Sequence, residues 1–154
     1  MEDLEITPKE TNLPDTLLEM IEDFSHVARQ KDLSLEVHAD IAASQVMIDG
    51  QILYRILENL FTNALRFAVS KIEITFLLEG TSLLVFIDDD GKGFPEKILK
   101  NQERYAITST TTDRHMGMGL IISRILSKKH GGSLRLSNGS PSGGARAEVK
   151  ISIR

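Results

Sequence analysis

Three groups of residues in this sequence have the types and spacing to do chemistry. Asn59, Asn63 and Arg66 follow one another at helical intervals. At about 100° per residue they fall within an arc of about 60° on one helix face. An amide oxygen is a hard, neutral ligand suited to Mg²⁺, and its NH₂ can donate to phosphate. Asp89-Asp90-Gly91-Lys92-Gly93 closes an unbroken apolar run at residues 83–87. A carboxylate there can accept the exocyclic amine proton of a purine, and Gly91 and Gly93 let the backbone approach a flat base without a Cβ clash. Gly117-Met118-Gly119-Leu120 opens an apolar-periodic segment. Backbone N–H groups at a helix start, unobstructed by side chains, form an anion site. It is not a dinucleotide fingerprint, since Ile122 holds the third glycine position, and the chain contains no Walker A pattern. Taken singly, each group has an ordinary alternative: a solvated helix flank, an acidic turn, a flexible helix start.

Helices and strands must bring these groups together. Leu17, Met20, Ile21, Phe24, Val27 and Ala28 recur at helical spacing, which predicts a first helix with Pro14 in its first turn, ending about Lys31. A second helix runs over about residues 51–68, with Asp49 as its N-cap. A third begins at Gly117, carries Ile121, Ile122, Ile125 and Leu126 as its apolar face, and ends at Gly131-Gly132. Alternating residues predict strands at Leu4 and Ile6 (closed by Pro8), at 33–39, at Val46 and Ile48, and at 72–78. The run at 83–87 reads as a central strand buried on both faces. Residues 133–136 and 147–153 read as a terminal hairpin across the Gly143-Gly144 turn. Residues 94–116 are polar and irregular, with at most a short helix near 95–99; a stretch that long without periodicity is usually functional or disordered. The expected fold is an α/β two-layer sandwich: a mixed, mostly antiparallel sheet with three main helices on one face.

The bulk numbers set limits. With 154 residues and 41% apolar composition, residues 1–154 suit one domain with a real core. A net charge of −4 gives no basic field to hold nucleic acid or an acidic membrane surface. No cysteine means no disulfide framework and no thiolate metal site, which fits a reducing cytosol. No apolar run spans a bilayer, and the start is not a signal peptide.

The order and spacing of the three groups carry more than any one of them. An amide-bearing helix, an Asp-x-Gly-x-Gly turn, a long polar loop and a Gly-x-Gly helix start follow one another, and this resembles the GHKL superfamily of ATPases and kinases, which has the Bergerat fold. The likeness covers residues 4–153. Residues 58–67, Glu-Asn-Leu-Phe-Thr-Asn-Ala-Leu-Arg-Phe, are similar to its N box, Asp89–Gly93 to its G1 box and Gly117–Leu120 to its G2 box. His130-Gly131-Gly132 and Gly143-Gly144-Ala145 sit where the sensor histidine kinase branch has them.

The resemblance implies roles. Asn63 would ligate Mg²⁺, Asn59 would hold phosphate or metal-bound water, and Arg66 would contact phosphate. Phe67 would pack beside adenine or ribose, and Asp89 would take the adenine amine, with Gly91 and Gly93 shaping the base pocket. Residues 95–116 would form the ATP lid, with Thr111 and Thr112 among the nucleotide contacts. Gly117, Gly119 and Leu120 would bring backbone amides to the phosphates. The lid departs from the family pattern: it has no Phe-x-x-Phe segment, and His115 stands where the first glycine of a Gly-x-Gly-x-Gly run is usual.

The chemistry divides at Asn59. Hydrolytic branches of the superfamily have a glutamate there as general base for water; an amide cannot take a proton at neutral pH. Glu58 lies about 100° round the helix and should not replace it. The resemblance therefore implies ATP and Mg²⁺ as cofactors and γ-phosphate transfer to a histidine, with no catalytic residue in this chain beyond the ATP site. It further implies a dimerisation and phosphoacceptor domain outside this chain, a response regulator receiver domain as partner, a cytoplasmic location, and a monomer when isolated. Two other readings stay open: an anti-sigma-factor type serine kinase of the same superfamily, and a non-catalytic nucleotide-binding module. His26 echoes a phosphoacceptor box only faintly and reads as a flank residue of the first helix. His38 and His130 have no metal partners at ligand spacing, so structural roles are expected.

Overall fold

The computed structural model describes residues 5–42, 44–102 and 114–154, with side chains of the last span from Gly119 onward. Its strands are β1 (Lys9–Asn12), β2 (Ser34–Asp40), β3 (Gln45–Ile48), β4 (Lys71–Glu79), β5 (Ser82–Asp89), β6 (Ser133–Ser137) and β7 (Arg146–Ser152). Its helices are α1 (Leu13–Gln30), α2 (Gly50–Phe67), the short α3 (Glu96–Lys100) and α4 (Arg114–Lys129). The main sheet has five strands in the order β2-β4-β5-β7-β6; β2 runs parallel to β4 and every other pair is antiparallel. β1 and β3 form a separate antiparallel pair. This is the expected two-layer sandwich with a mixed sheet.

Period-two alternation builds one layer of the core. Ile72, Ile74 and Phe76 of β4, Leu83, Val85 and Ile87 of β5, and Ala147, Val149 and Ile151 of β7 are buried on one face. Period-3.6 spacing supplies the other layer: Leu13, Leu17, Met20, Phe24 and Ala28 from α1, and Ile52, Leu53, Ile56, Leu57, Leu60, Phe61 and Ala64 from α2. Phe24 stacks on Phe61 at 4.5 Å between ring centroids, joining the two helices.

Three expectations need correction. The first strand is Lys9–Asn12, after Pro8, and Leu4 lies outside the described residues. Its partner β3 supplies the ladder bonds that fix it there, whereas Ile6 only packs against the core. β5 is central, but its outer face is covered only in part: Leu84 is buried, while Phe86 is half-buried beneath the Arg146 guanidinium, 4.6 Å from its centroid. α4 begins at Arg114, not Gly117, so both glycines lie inside the helix. A glycine costs about 1 kcal/mol in a helix interior, too little to stop a helix whose other residues favour it.

Helix termini fix α2 in place. Asp49 accepts from Ile52 N at 3.1 Å as the N-cap, and its second oxygen accepts from Thr7 N at 2.9 Å and Thr7 Oγ at 3.2 Å. Burial works against this carboxylate, but those bonds outweigh it and hold Asp49 below its ordinary pKa. Asp49's own N–H donates to His130 Nε2 at 3.0 Å, at the C-terminal end of α4. His130 is buried, and because a backbone N–H can only donate, the ring carries its proton on Nδ1. The expected structural role of His130 is this tie between α4 and the start of α2. The following Gly131 has φ +78°, the usual turn out of a helix, and a Cβ on Gly132 would collide with the Lys150 carbonyl of β7.

Asp49→Ala should therefore cost about 2 kcal/mol, the upper end for an N-cap, because Thr7 loses its acceptor as well. Urea unfolding checks this; a loss of less than about 0.5 kcal/mol would contradict the assigned cap.

Candidate functional site

α2, the turn after β5 and the first half of α4 converge at one end of the sandwich, because α2 packs against both β5 and α4. Asn59 and Asn63 are half-buried on α2. Asn59 Nδ2 and Asn63 Oδ1 are buried atoms with no hydrogen-bond partner among the described residues. A fold normally satisfies such groups, each at a cost of about 1–3 kcal/mol when left open. One is a donor and the other an acceptor, as an oxyanion and a hard cation bound side by side would require. Gly119 of α4 lies opposite: a Cβ there would point at Asn59, 3.9 Å from its Cβ and its carbonyl oxygen. A residue with a longer side chain at 119 would fill the space beside the amide. Leu120 is buried beneath it. Arg66 is exposed, and Phe67 is half-buried at the last turn of α2.

Asp89 ends β5 with its side chain on the helix side of the sheet, opposite Ile72. It is 3% exposed. Its Oδ1 accepts from Gly91 N at 2.8 Å and from Ala145 N at 3.3 Å. Burial pushes its carboxyl above the ordinary value, against the pull of those two N–H groups. A carboxyl group kept from water in this way is a strong acceptor for an amine donor that replaces the water.

The glycines of this turn serve the protein's own packing. A Cβ on Gly91 would run into the Phe67 carbonyl, so the turn lies directly on the end of α2. Gly93 has φ +90°, and its missing Cβ leaves the place taken by the Asn138 amide, whose Oδ1 would be 2.7 Å away. Asp90 fastens the turn to the residues after α2. Its carboxylate accepts from Val69 N at 2.8 Å, Ser70 N at 3.1 Å and Ser70 Oγ at 2.5 Å. Partial burial opposes ionisation there, but these bonds outweigh it and hold the Asp90 carboxyl far below its ordinary value.

Sequence reasoning missed the supporting residues. Ser140 Oγ donates to Asp89 O at 2.9 Å, and a Cβ on Gly144 would collide with Asp89 and Gly91. The Ser-Asn-Gly-Ser-Pro-Ser-Gly-Gly stretch at 137–144 was legible only as a turn region, although its richness in small polar residues was the available signal. Asp88, beside Asp89, faces the other side and pairs with Arg146 at 2.7 and 3.0 Å. Thr111 and Thr112 lie outside the described residues, as does half of the expected lid at about 95–116; Gly117 lies in the first turn of α4. With α4 starting at Arg114, Gly117 and Gly119 both lie past its first free N–H groups, and Gly119 contributes an open surface rather than a free terminal N–H.

Other clusters compete less well. A groove of about 560 Å³ lies between β1, α1 and the first turn of α2, but its Glu19 and Asp23 would repel a polyphosphate and no predicted site residue lines it. Glu36 and Glu73 do come within 4.8 Å of His38 on the outer face, ligand atom to ligand atom, which the spacing in sequence concealed. Lys71 stands 3.4 Å from Glu36 and 3.7 Å from Glu73 and already supplies their countercharge, so a structural role for His38 stands. His26 is exposed on α1 and contacts Gln30 at 3.3 Å, as a flank residue would.

Residues 48–154 match the family described as histidine kinase-, DNA gyrase B-, and HSP90-like ATPase. The chain is 30% identical over 140 residues to the sensor histidine kinase SpaK of Bacillus subtilis, an alignment that covers 88% of this chain and 30% of SpaK. It is 29% identical over 146 residues to the sensor protein RstB of Escherichia coli, covering 92% of this chain and 33% of RstB. The chain thus spans about a third of the length of such relatives or less. Among solved structures, the catalytic domain of the histidine kinase ThkA superposes with a TM-score of 0.79 at 24% identity, covering 97% of this chain and 99% of that one. Full-length ShkA in complex with AMPPNP superposes with a TM-score of 0.79 at 21% identity, covering 98% of this chain and 32% of that one. These superpositions establish the fold.

The depressed Asp90 carboxyl makes stability depend on pH. A folded pKa below the unfolded value of 3.8 contributes stability that is present above about pH 4 and lost as pH falls through the folded value. Asp90→Asn should lower neutral-pH stability by about 1–2 kcal/mol and flatten the acid limb of the stability curve. Urea midpoints between pH 3 and pH 7 test this, and parallel curves for the two proteins would refute it.

Proposed function

The chain belongs to the histidine kinase-, DNA gyrase B- and HSP90-like ATPase family, and from that premise we propose that it binds Mg²⁺–ATP and transfers the γ-phosphate to a histidine. The acceptor lies on a dimerisation domain outside these residues, and the chain acts as the catalytic domain of a two-component sensor histidine kinase in the cytoplasm. The observation that carries this reading is the pair of buried, unpartnered amide atoms on α2, Asn59 Nδ2 and Asn63 Oδ1. Asn63 Oδ1 would hold Mg²⁺, which supplies charge neutralisation on the phosphates. Asn59 Nδ2 donates to a phosphate oxygen, and Arg66 reaches the same anion from the exposed edge of α2. Gly117, Gly119 and Leu120, with Thr111 and Thr112, border the phosphates. Asp89 accepts the adenine amine proton, Gly91 and Gly93 lie along the base, and Phe67 packs beside it.

Asn59 decides between transfer and hydrolysis. Water attacks phosphate quickly only when a base takes its proton, and an amide cannot. Glu58 is exposed and lies about 100° round α2 from Asn59, off the amide stripe. Without a base for water, the site positions and neutralises, which is most of what phosphoryl transfer asks of a protein. The phosphorylated histidine then passes its phosphate to a response regulator receiver domain.

Calorimetry with Mg²⁺ should show one ATP site per chain and much weaker GTP binding; equal binding of the two would remove the adenine assignment. Asp89→Asn should weaken ATP at least tenfold, beyond the loss of one neutral hydrogen bond at about 1 kcal/mol. The same variant should melt no lower than wild type. A carboxyl whose pKa burial has raised costs the fold stability when ionised, a penalty that fades as pH falls through that raised pKa and that asparagine lacks.

With Mg²⁺–ATP alone the chain should neither label itself nor hydrolyse ATP quickly. Added to its dimerisation domain it should phosphorylate a histidine there slowly, since tethering ordinarily supplies an effective concentration in the millimolar range. Asn63→Ala should abolish transfer and leave the fold intact. An acid-labile phosphate on His26 of the isolated chain, or fast hydrolysis that depends on Glu58, would overturn the reading.

A further inference from the structure

Among the described residues β6 is the last strand of the sheet, and its outer edge has no strand partner. Two side-chain amides stand in for one. Gln102, just after α3, accepts from Leu136 N at 2.9 Å through Oε1 and donates to Leu136 O at 2.8 Å through Nε2. Asn138, just after β6, makes the reverse connection: its Oδ1 accepts from Phe94 N at 2.7 Å, and its Nδ2 donates to Phe94 O at 3.2 Å. Each amide thus satisfies both polar groups of one backbone residue, as a neighbouring strand would. Together they fasten both ends of the segment 94–102 to β6, with Ile98 buried between them.

The segment joins the two halves of the nucleotide site. Its start, Phe94, directly follows Gly93, whose missing Cβ leaves the space that the Asn138 amide fills. Phe94 stands three residues after Gly91, whose N–H donates to Asp89 Oδ1 at 2.8 Å. At its other end, Gln102 Oε1 also accepts from Arg124 NH2 at 3.3 Å, one helical turn beyond Leu120 on α4. Gln102 Nε2 makes a second donation to Leu99 O at 3.2 Å, closing the end of α3.

We propose that Asn138 and Gln102 are positioning residues for the base of the nucleotide: a double amide clamp that holds the Asp89–Gly93 turn in register with β6 and α4. The inference rests on the nucleotide-binding reading above and deepens it. Neither residue touches the base; both act through the backbone they hold. The clamp needs donors as well as acceptors, so the isosteric acids are the informative changes. Gln102→Glu and Asn138→Asp keep size and shape but set a carboxylate oxygen against the Leu136 or Phe94 carbonyl.

The test compares ADP with tripolyphosphate, which lacks a base, on the full chain with Mg²⁺. ADP affinity is read by calorimetry and tripolyphosphate by NMR shifts of the Asn59 and Asn63 side-chain amides. Each acid variant should bind ADP roughly tenfold more weakly while tripolyphosphate binding changes by less than about twofold, a discrimination of about 1.4 kcal/mol. If either variant fails to fold, Gln102→Met and Asn138→Leu, which keep bulk and remove both hydrogen-bonding functions, are read the same way. Unchanged ADP affinity overturns the clamp, and so does a parallel loss for both ligands, which would indicate general loosening. A wild-type chain that binds tripolyphosphate but not ADP would instead overturn the nucleotide reading itself.

Discussion

The geometry of this site depends on one buried carboxyl group. Asp89 is kept almost fully from water, and burial raises its pKa against two backbone hydrogen bonds. Holding such a group requires N–H donors within about 3 Å, and donors that close require backbone that close. The surrounding composition follows from that need. Gly91 has no side chain because the turn must lie on the Phe67 carbonyl, and Gly144 has none because the loop before β7 must lie on Asp89 itself. Asp90 and Ser140 then fix the turn from opposite sides, one through Val69 and Ser70, the other through the Asp89 carbonyl. A glycine-rich turn that looks designed for a ligand is, at the atomic level, designed first for its neighbours.

The sheet keeps two kinds of electrostatics apart. Asp88 and Asp89 are adjacent and both buried, yet the period of two sends them to opposite faces. Asp88 pairs with Arg146 across the β5–β7 ladder, where Arg146 also covers Phe86. That pair belongs to the outer face, with the Glu36, Lys71, Glu73 and His38 network beside it. Among the described residues the Asp89 carboxyl group has no cationic hydrogen-bond partner, only backbone N–H groups. A salt bridge would have bound its carboxylate too well to leave an acceptor for an incoming amine.

What the sequence made legible follows the same division. Helices α1 and α2 were readable almost to the residue, because apolar periodicity and a capping aspartate are local signals. The alternating strands and the terminal hairpin were legible for the same reason. The start of α4 was not: glycine reads as a breaker, and nothing local shows that neighbouring residues carry the helix through it. Burial on both faces of β5 was overread only at Phe86, which is half-buried; Arg146, opposite Asp88 on β7, shows how a cation covers the aromatic ring instead. Of the candidate site, Asn59, Asn63 and Asp89 were legible as residue types at fixed spacing. The residues that support them, Asn138, Ser140 and Gln102, were not, since each acts at a distance along the chain that no local pattern encodes.

The amide pair on α2 shows why rigidity has to come from elsewhere. Asn59 Nδ2 and Asn63 Oδ1 are unsatisfied in the described structure, at a cost of about 1–3 kcal/mol each. A mobile helix would turn slightly and solvate them. α2 cannot, because its start is capped by Asp49 and tied to His130, its apolar residues Leu53, Ile56 and Leu57 are fully buried, and the residues just beyond its end are fastened to Asp90. Apolar and amide residues on one helix are thus a working arrangement: core packing holds the polar stripe in an unfavourable but fixed position. Groups fixed in advance of binding need no reorganisation when charge arrives, which is where preorganised sites gain over water.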